Sequence, residues 1–259
     1  MRSSVGLKAV QEDWAIINFV GFRQGTELCI LTVGQTCRIR PSGNPGRSTM
    51  IYEMRTVTYK PGAMSEVLSV NQKTHEIFSP KYGETLGLWT AEIGALNRLW
   101  RLCAYDDYGD YRQKRAALAK DARWQNEHLS KVSHHILQHE ARMLTPVMPV
   151  QAPEAAGNIY EYRYYRTAPG QVSRYASEME RAASVRKKHV CDVGMWITEA
   201  GLPDEFSHMV AHPSMEARTA QRAALMADAE WAEIQSEIAQ LLVDARSEIL
   251  VPLAWSKMR

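Results

Sequence analysis

RAALAKDARW, from Arg115 to Trp124, returns as RAALMADAEW, from Arg222 to Trp231, with seven of ten letters unchanged. The echo extends in both directions. Upstream, IYEMR from Ile51 answers IYEYR from Ile159, Lys60-Pro61-Gly62 answers Ala168-Pro169-Gly170, and GLWTAE from Gly87 answers GMWITE from Gly194. Downstream, MLTPV from Met143 answers ILVPL from Ile249. The offset stays between 106 and 108 residues, so almost no insertion separates the copies. A register held over that length marks a tandem repeat of one unit of roughly a hundred residues.

Each copy reads as the same series of elements. IYEMRTVTY and IYEYRYYRT have the aromatic and β-branched content of strands. Pro-Gly ends each strand, and in the second copy Val172, Tyr175, Met179 and Ala182 then recur at helical spacing. LGLWTAEI and NRLWRLCAY, joined at Gly94, read as a hairpin, matched by VGMWITEA and EFSHMVAH. A helical region follows. There Asp121 and Asp228 suit a helix start, and Trp124 or Trp231 covers the joint between helices. Beyond it, Trp231, Ile234, Ile238, Leu241, Leu242 and Ala245 predict one apolar helix face, and a short strand through Pro146 or Pro252 ends each copy. The order is β-α-β-β-α-β, the ferredoxin-like pattern, written twice. Such a unit covers one sheet face with helices and leaves the other bare, so linked units bury both bare faces by pairing. The fold class is α+β: two tandem ferredoxin-like units whose sheets pair into a pseudo-twofold barrel.

IYEMR followed by KPG, the GLWTAEIG hairpin, AYDDYGDYRQKRAAL and the DARW turn together resemble the NIPSNAP family. The resemblance covers about residues 51 to 255 and includes both copies. It implies the dimeric α+β barrel superfamily, whose members include cofactor-free monooxygenases, haem-using enzymes and proteins without known chemistry. In animals the family is associated with vesicle trafficking and mitochondrial signalling. The resemblance brings no catalytic motif to this chain. Where the first copy has AYDDYGDYR the second has AHPSMEAR from Ala211, so any role of that tyrosine- and aspartate-rich segment belongs to the first copy. The expected domains are 50–149 and 158–259, with a linker over 150–157.

Composition excludes some classes. A net charge of +2 over 259 residues gives no concentrated positive field for nucleic acid or an anionic membrane surface. Apolar runs such as AIINFVGF are too short to span a bilayer, and Glu12 and Asp13 stand where an export signal needs its apolar stretch. Cys29, Cys37, Cys103 and Cys191 show no metal-site spacing and read as reduced thiols of a cytoplasmic protein. Residues 1–49 have no counterpart in the repeat. They read as a loosely packed extension, with a hairpin near Leu28–Val33 or a natural start at Met50 as alternatives.

The strongest chemical signal is Glu-x-Arg on the first strand of each copy, Glu53 with Arg55 and Glu161 with Arg163. Period two puts each pair on one sheet face, and if that face is inward four charges meet there, joined by Glu92 and Glu199. With Trp89, Trp196, Tyr52 and Tyr160 they would line a ligand pocket; the competing reading is an ion-pair network and aromatic packing that dock the halves. His128, His134, His135 and His139 are placed on one helix at a solvated edge, with no carboxylate or cysteine to complete a metal set. His208 and His212 share a strand face but lack a partner that the sequence can name. No cofactor or metal is expected, and a small-molecule ligand and a homodimer are left open. Two functions compete: a binding or interaction scaffold, and a cofactor-free monooxygenase or isomerase working inside the barrel. An open interior favours the enzyme; a filled one favours the scaffold.

Overall fold

All eight expected strands form, and they close into one antiparallel barrel in the computed structural model, which describes residues 50–78 and 82–259. The expectations for residues 1–49 lie outside the described residues. The first copy supplies β1 (Ile51–Tyr59), α1 (Met64–Phe78), β2 (Glu84–Ile93), β3 (Arg98–Tyr105), α2 (Tyr108–Lys120), α3 (Ser130–Val132) and β4 (Ile136–Met148). A π-helical segment, Trp124–Leu129, precedes α3, and a 3₁₀ turn, Ser133–His135, follows it. The second copy supplies β5 (Ile159–Thr167), α4 (Val172–Arg181), α5 (Ala183–Arg186), β6 (Cys191–Ala200), β7 (Glu205–His212), α6 (Met215–Met226), α7 (Ala229–Ala239) and β8 (Leu242–Pro252). Around the barrel the strands run β1-β3-β2-β8-β5-β7-β6-β4. Within each copy the spatial order is fourth, first, third, second strand, as a ferredoxin-like unit requires. The copies meet at two seams, β2 with β8 and β4 with β6. No helix of the described residues is long and apolar enough to cross a membrane.

The repeated motifs now have physical roles. Gly62 and Gly170 take φ of +85° and +76° directly after their prolines, a left-handed turn that glycine adopts without steric cost. At the seams Trp89 faces Pro252 and Trp196 faces Pro146, so the two seams are copies of each other. Proline offers no N–H to a ladder, and the register of the β4–β6 seam shifts between Pro146 and Met148. Asp121 accepts the backbone N–H groups of Arg123 and Trp124, and Asp228 those of Glu230 and Trp231. The repeated phrase therefore writes a helix end, an aspartate cap and a tryptophan that opens the next turn. Trp231 is buried under the Arg186 guanidinium, 5.3 Å from its ring, while Trp124 stacks on His128 at 4.2 Å.

Tyr52, Met54, Trp89, Trp100, Tyr160, Tyr162 and Trp196 fill the barrel. Their contacts cross between the copies: Tyr52 with Trp196 at 6.3 Å, Trp89 with Tyr160 at 5.4 Å, and Trp100 with Tyr162 at 5.2 Å between ring centroids. An eight-stranded barrel is just wide enough for its own side chains to fill it, and here aromatic rings do so. Gly87 and Gly194 precede their tryptophans by two, on the same face, and each indole lies over the hydrogen of its glycine; a Cβ there would overlap the ring.

Two expected boundaries move. The α7 helix ends at Ala239, and Leu242 and Ala245 belong to β8, where Ala245 pairs with Tyr165. Their helical spacing is a coincidence of an apolar helix running straight into a strand. The closing strands are also long: β4 has 13 residues and β8 has 11, because each must reach both a partner in its own copy and the seam. The position of the indoles yields a prediction. Gly87→Ala and Gly194→Ala should each destabilise the protein by about 1–3 kcal/mol, as overpacking of a filled core does. Chemical denaturation measures this, and a wild-type midpoint in both variants would mean that the rings do not lie where described.

Candidate functional site

Alternation on β1 sends Tyr52 and Met54 to one face and Glu53 and Arg55 to the other, and the barrel takes the aromatic side. The expected meeting of four charges in a shared interior does not occur. Each Glu-x-Arg pair instead lies on the outer sheet face, beneath the helices of its own copy. Glu53 is fully buried, paired with Arg55, and approached by the Tyr105 and Tyr111 hydroxyls at 3.4 and 3.5 Å. Burial opposes its ionisation, but Arg55, then Arg101 and Arg115, outweigh burial and hold the carboxyl below its ordinary range. Glu161 accepts two hydrogen bonds from Arg218, at 2.7 and 2.9 Å, and one from Ser247 at 2.7 Å; Arg163 stands at 3.5 Å and His212 at 3.6 Å. These partners overcome the cost of burial, and Glu161 too is held well below the usual carboxylate range. Glu92 and Glu199 are exposed near the ends of β2 and β6 and join neither cluster, and Trp89 and Trp196 belong to the barrel filling.

Other charges tie the halves. At one end of the interior, Arg142 of β4 donates to Glu205 of β7 at 2.8 and 3.5 Å, and Thr198 donates to the same carboxylate at 2.9 Å. Arg98 of β3 stands 3.7 Å from Glu248 of β8, and Tyr164 bridges the two pairs, under the Arg142 guanidinium and 3.4 Å from Glu248. These four residues carried no motif, but aligning the copies exposes them: Arg98 matches Glu205 and Arg142 matches Glu248, a sign exchange at conserved spacing.

A cavity of about 110 Å³ lies outside the barrel, between the first copy's sheet and its helices. β1 supplies Arg55, Val57 and Tyr59 to its wall, β3 supplies Leu99 and Arg101, and α2 supplies Arg115. Asn71 and His75 reach it from α1, Trp124 and His128 from the π-helical segment, and His139 from β4. The four histidines between His128 and His139 thus do not share a helix. His134 and His135 sit in the 3₁₀ turn and His139 on β4, because the chain leaves the helix at Val132. His128 is buried rather than solvated, with Nδ1 2.9 Å from Thr74 Oγ1, and burial, then Arg101, push its pKa down to about 4. His139 stands at the cavity's rim, its Nε2 2.6 Å from an Arg55 nitrogen. Burial, then Arg55, Arg115 and Arg101, lower its pKa to about 4 as well, so the neutral ring accepts a hydrogen bond from the guanidinium. A carboxylate does approach the other two: Glu66 of α1 comes with His134 and His135 to within 4.8 Å, atom to atom, at the surface.

The same place in the second copy is filled. Strand register matches Val57 and Leu99 with Tyr165 and Phe206, both buried and both larger. It matches Thr85 with Asp192, which receives Arg186 at 2.6 and 2.9 Å. His208, in register with Arg101, sits 3.2 Å from Arg186 and 3.3 Å from the Tyr165 hydroxyl; burial keeps it neutral, with a pKa of about 4. His212 meets Gln221 at 2.6 Å. Both histidines therefore have partners that no motif marks, Arg186 of α5 and Tyr165 of β5 for His208 and Gln221 of α6 for His212.

The NIPSNAP family profile matches residues 52–149 and again 160–257. The chain belongs to the NIPSNAP family. Protein NipSnap homolog 3A of Homo sapiens is 26% identical over 230 residues, covering 87% of this chain and 92% of the relative. Protein NipSnap of Drosophila melanogaster is 23% identical over 217 residues, covering 80% and 78%. Among solved structures, a putative monooxygenase from Lactobacillus acidophilus NCFM superposes with a TM-score of 0.59 at 11% identity, covering 79% of this chain and 94% of that one. That likeness shows a shared fold. The two NIPSNAP units of this chain are thus the two ferredoxin-like halves of one barrel.

Two measurements follow for this NIPSNAP barrel. Arg142→Ala and Glu205→Ala should each cost about 3–5 kcal/mol, since each leaves a charge buried without its partner. The double variant should lose clearly less than the sum, and strict additivity in chemical denaturation would mean that the residues do not meet. The pH dependence has a defined sign. His128 and His208 titrate near 4 when folded and near 6.5 when unfolded, so the unfolded chain binds more protons between those values. Stability should therefore fall as pH drops from about 6.5 to about 4, and His128→Gln should flatten the slope. An unchanged slope in that variant would contradict the burial of His128.

Proposed function

We propose that this NIPSNAP protein is a small-molecule-binding scaffold whose site is the cavity over the outer face of the first copy's sheet. The observation that supports this most directly is the filled barrel: Trp89, Trp100 and Trp196 have no exposed surface, so an enzyme working inside has no room for a substrate. Space and convergent polar groups occur together instead under the first copy's helices, where mostly apolar walls carry a few placed polar side chains, as ligand sites do. Arg55, with Glu53 behind it, is the one Glu-x-Arg pair at this cavity. The buried free thiol of Cys103 fits a reducing, cytoplasmic compartment.

The second copy supplies the test. Val57→Tyr with Leu99→Phe rewrites the cavity wall with the residues found at Tyr165 and Phe206. The full-length double variant should keep its cooperative melt and lose binding of toluene, a neutral probe, followed by ligand-observed NMR. Leu99→Phe alone should weaken it. Toluene binding unchanged in both variants, or absent from the wild type, would overturn the reading.

A further inference from the structure

Three ligand-type side chains meet at the surface where α1 passes the 3₁₀ turn before β4. We propose that Glu66, His134 and His135 bind a divalent transition-metal ion of the zinc class. None of the three lines the cavity assigned above, so this site stands independently of that reading. His134 and His135 belong to the 3₁₀ turn, while Glu66 stands in the first turn of α1, 69 residues before His135. One ligand atom from each lies within 4.8 Å of the other two. The donor set decides the ion. Imidazole suits zinc, copper and nickel, whereas magnesium and calcium take oxygen ligands. Two histidines with a glutamate form a zinc ligand set that leaves the fourth position to water.

The distances are close to those of a bound ion. Zinc bonds of about 2.0–2.2 Å at tetrahedral angles set ligand atoms about 3.3–3.6 Å apart. Glu66 Oε2 and His135 Nε2 stand 3.2 Å apart. The ring of His134 meets that of His135 at 3.9 Å between centroids, tilted by 44°. Consecutive side chains on a 3₁₀ turn leave its axis about 120° apart, so the backbone alone does not bring these rings together. A hydrogen bond to Glu66 accounts for one imidazole and not for the second. Among the described residues Glu66 pairs with no lysine or arginine. The backbone fixes this arrangement in advance. The Lys60 N–H donates to the His135 carbonyl at 2.9 Å, and the Ala63 N–H donates to the Lys60 carbonyl at 3.1 Å, where α1 begins. One hydrogen bond therefore joins the turn that carries the histidines to the turn that starts the helix of Glu66. Ligands held near their bound positions lose less freedom on binding.

The second copy keeps the joint and omits the ligands. There the Ala168 N–H donates to the Leu241 carbonyl at 2.8 Å, the counterpart of Lys60 and His135. The strand pairings agree, Tyr59 with Ile136 and Thr167 with Leu242. In that register His134 and His135 answer to Gln240 and Leu241, and Glu66 answers to Arg174. The fold therefore requires none of the three ligands. A guanidinium stands where the first copy has a carboxylate, and a buried leucine stands where it has an imidazole.

The experiment strips the full-length protein of metal with a chelator and titrates it with zinc chloride, by calorimetry and by proton–nitrogen spectra of the histidine rings. One zinc ion should bind at this site, and the ring signals of His134 and His135 should shift. Side chains that merely support a metal's ligands are worth about 10–100-fold in affinity. Glu66→Gln, His134→Gln and His135→Gln each remove a direct ligand and should weaken zinc at least about tenfold. His189→Gln, at the His189–Asp228 pair of the second copy, should leave the affinity within about twofold. None of the three ligand side chains is buried, so without metal their variants should melt with the wild type. Zinc should raise the melting temperature of the wild type and not of these variants, as binding to the folded state requires. No zinc bound by the wild type, or wild-type affinity in any of the three variants, would overturn the site. Loss of zinc in His189→Gln would overturn it by placing the ion in the other copy.

Discussion

The whole arrangement depends on what an eight-stranded barrel can hold. Two sheets that pair edge to edge at β2–β8 and β4–β6 leave an interior only as wide as the side chains that project into it. Here those side chains are indoles and phenols from both copies, in contact across the middle. Burying three tryptophans and three tyrosines removes a large apolar area from water and leaves the three indoles without exposed surface. Charged side chains that find no partner within the barrel are thereby displaced to the outside of the sheets. That displacement explains why the Glu-x-Arg pairs sit beneath helices, and why the cavity lies there too.

Closure by one chain also permits the copies to differ. Identical units would have to present identical residues at both seams. In this chain the first copy contributes Arg98 and Arg142 to the interior and the second contributes Glu205 and Glu248. Two first copies would set Arg98 against Arg142, and two second copies Glu205 against Glu248, like charges held in a buried space. Each half is built to accept the other and to refuse itself. Once the halves were not interchangeable, their outer faces could diverge: one filled with Tyr165, Phe206 and the Arg186–Asp192 pair, the other with Val57, Leu99 and space.

The parts legible in the sequence were those with local causes. Strand order, the Pro-Gly turns, the aspartate caps and the tandem register each follow from residues within a few positions of one another, and the repeat confirmed each reading twice. What the sequence left open depended on direction and on distant partners. Period two places Glu53 and Tyr52 on opposite faces but does not say which face is inward; that follows only when closure fills the interior with rings. His139 carried helical spacing because nothing local marks the exit from the helix at Val132. Arg142 and Glu205, 63 residues apart, had no motif to announce them. The cavity was invisible because it is defined by what Val57 and Leu99 lack relative to Tyr165 and Phe206, a comparison that needs the strand register.

The central claim is one of location: a ligand enters beneath the helices of the first copy and leaves the barrel untouched. The indole N–H resonances report this directly, since Trp124 lines the cavity and Trp89, Trp100 and Trp196 fill the barrel. In a proton–nitrogen spectrum recorded with saturating toluene, the account predicts a shift of the Trp124 indole signal while those of Trp89, Trp100 and Trp196 stay in place. Movement of the barrel indoles with Trp124 unmoved would contradict it.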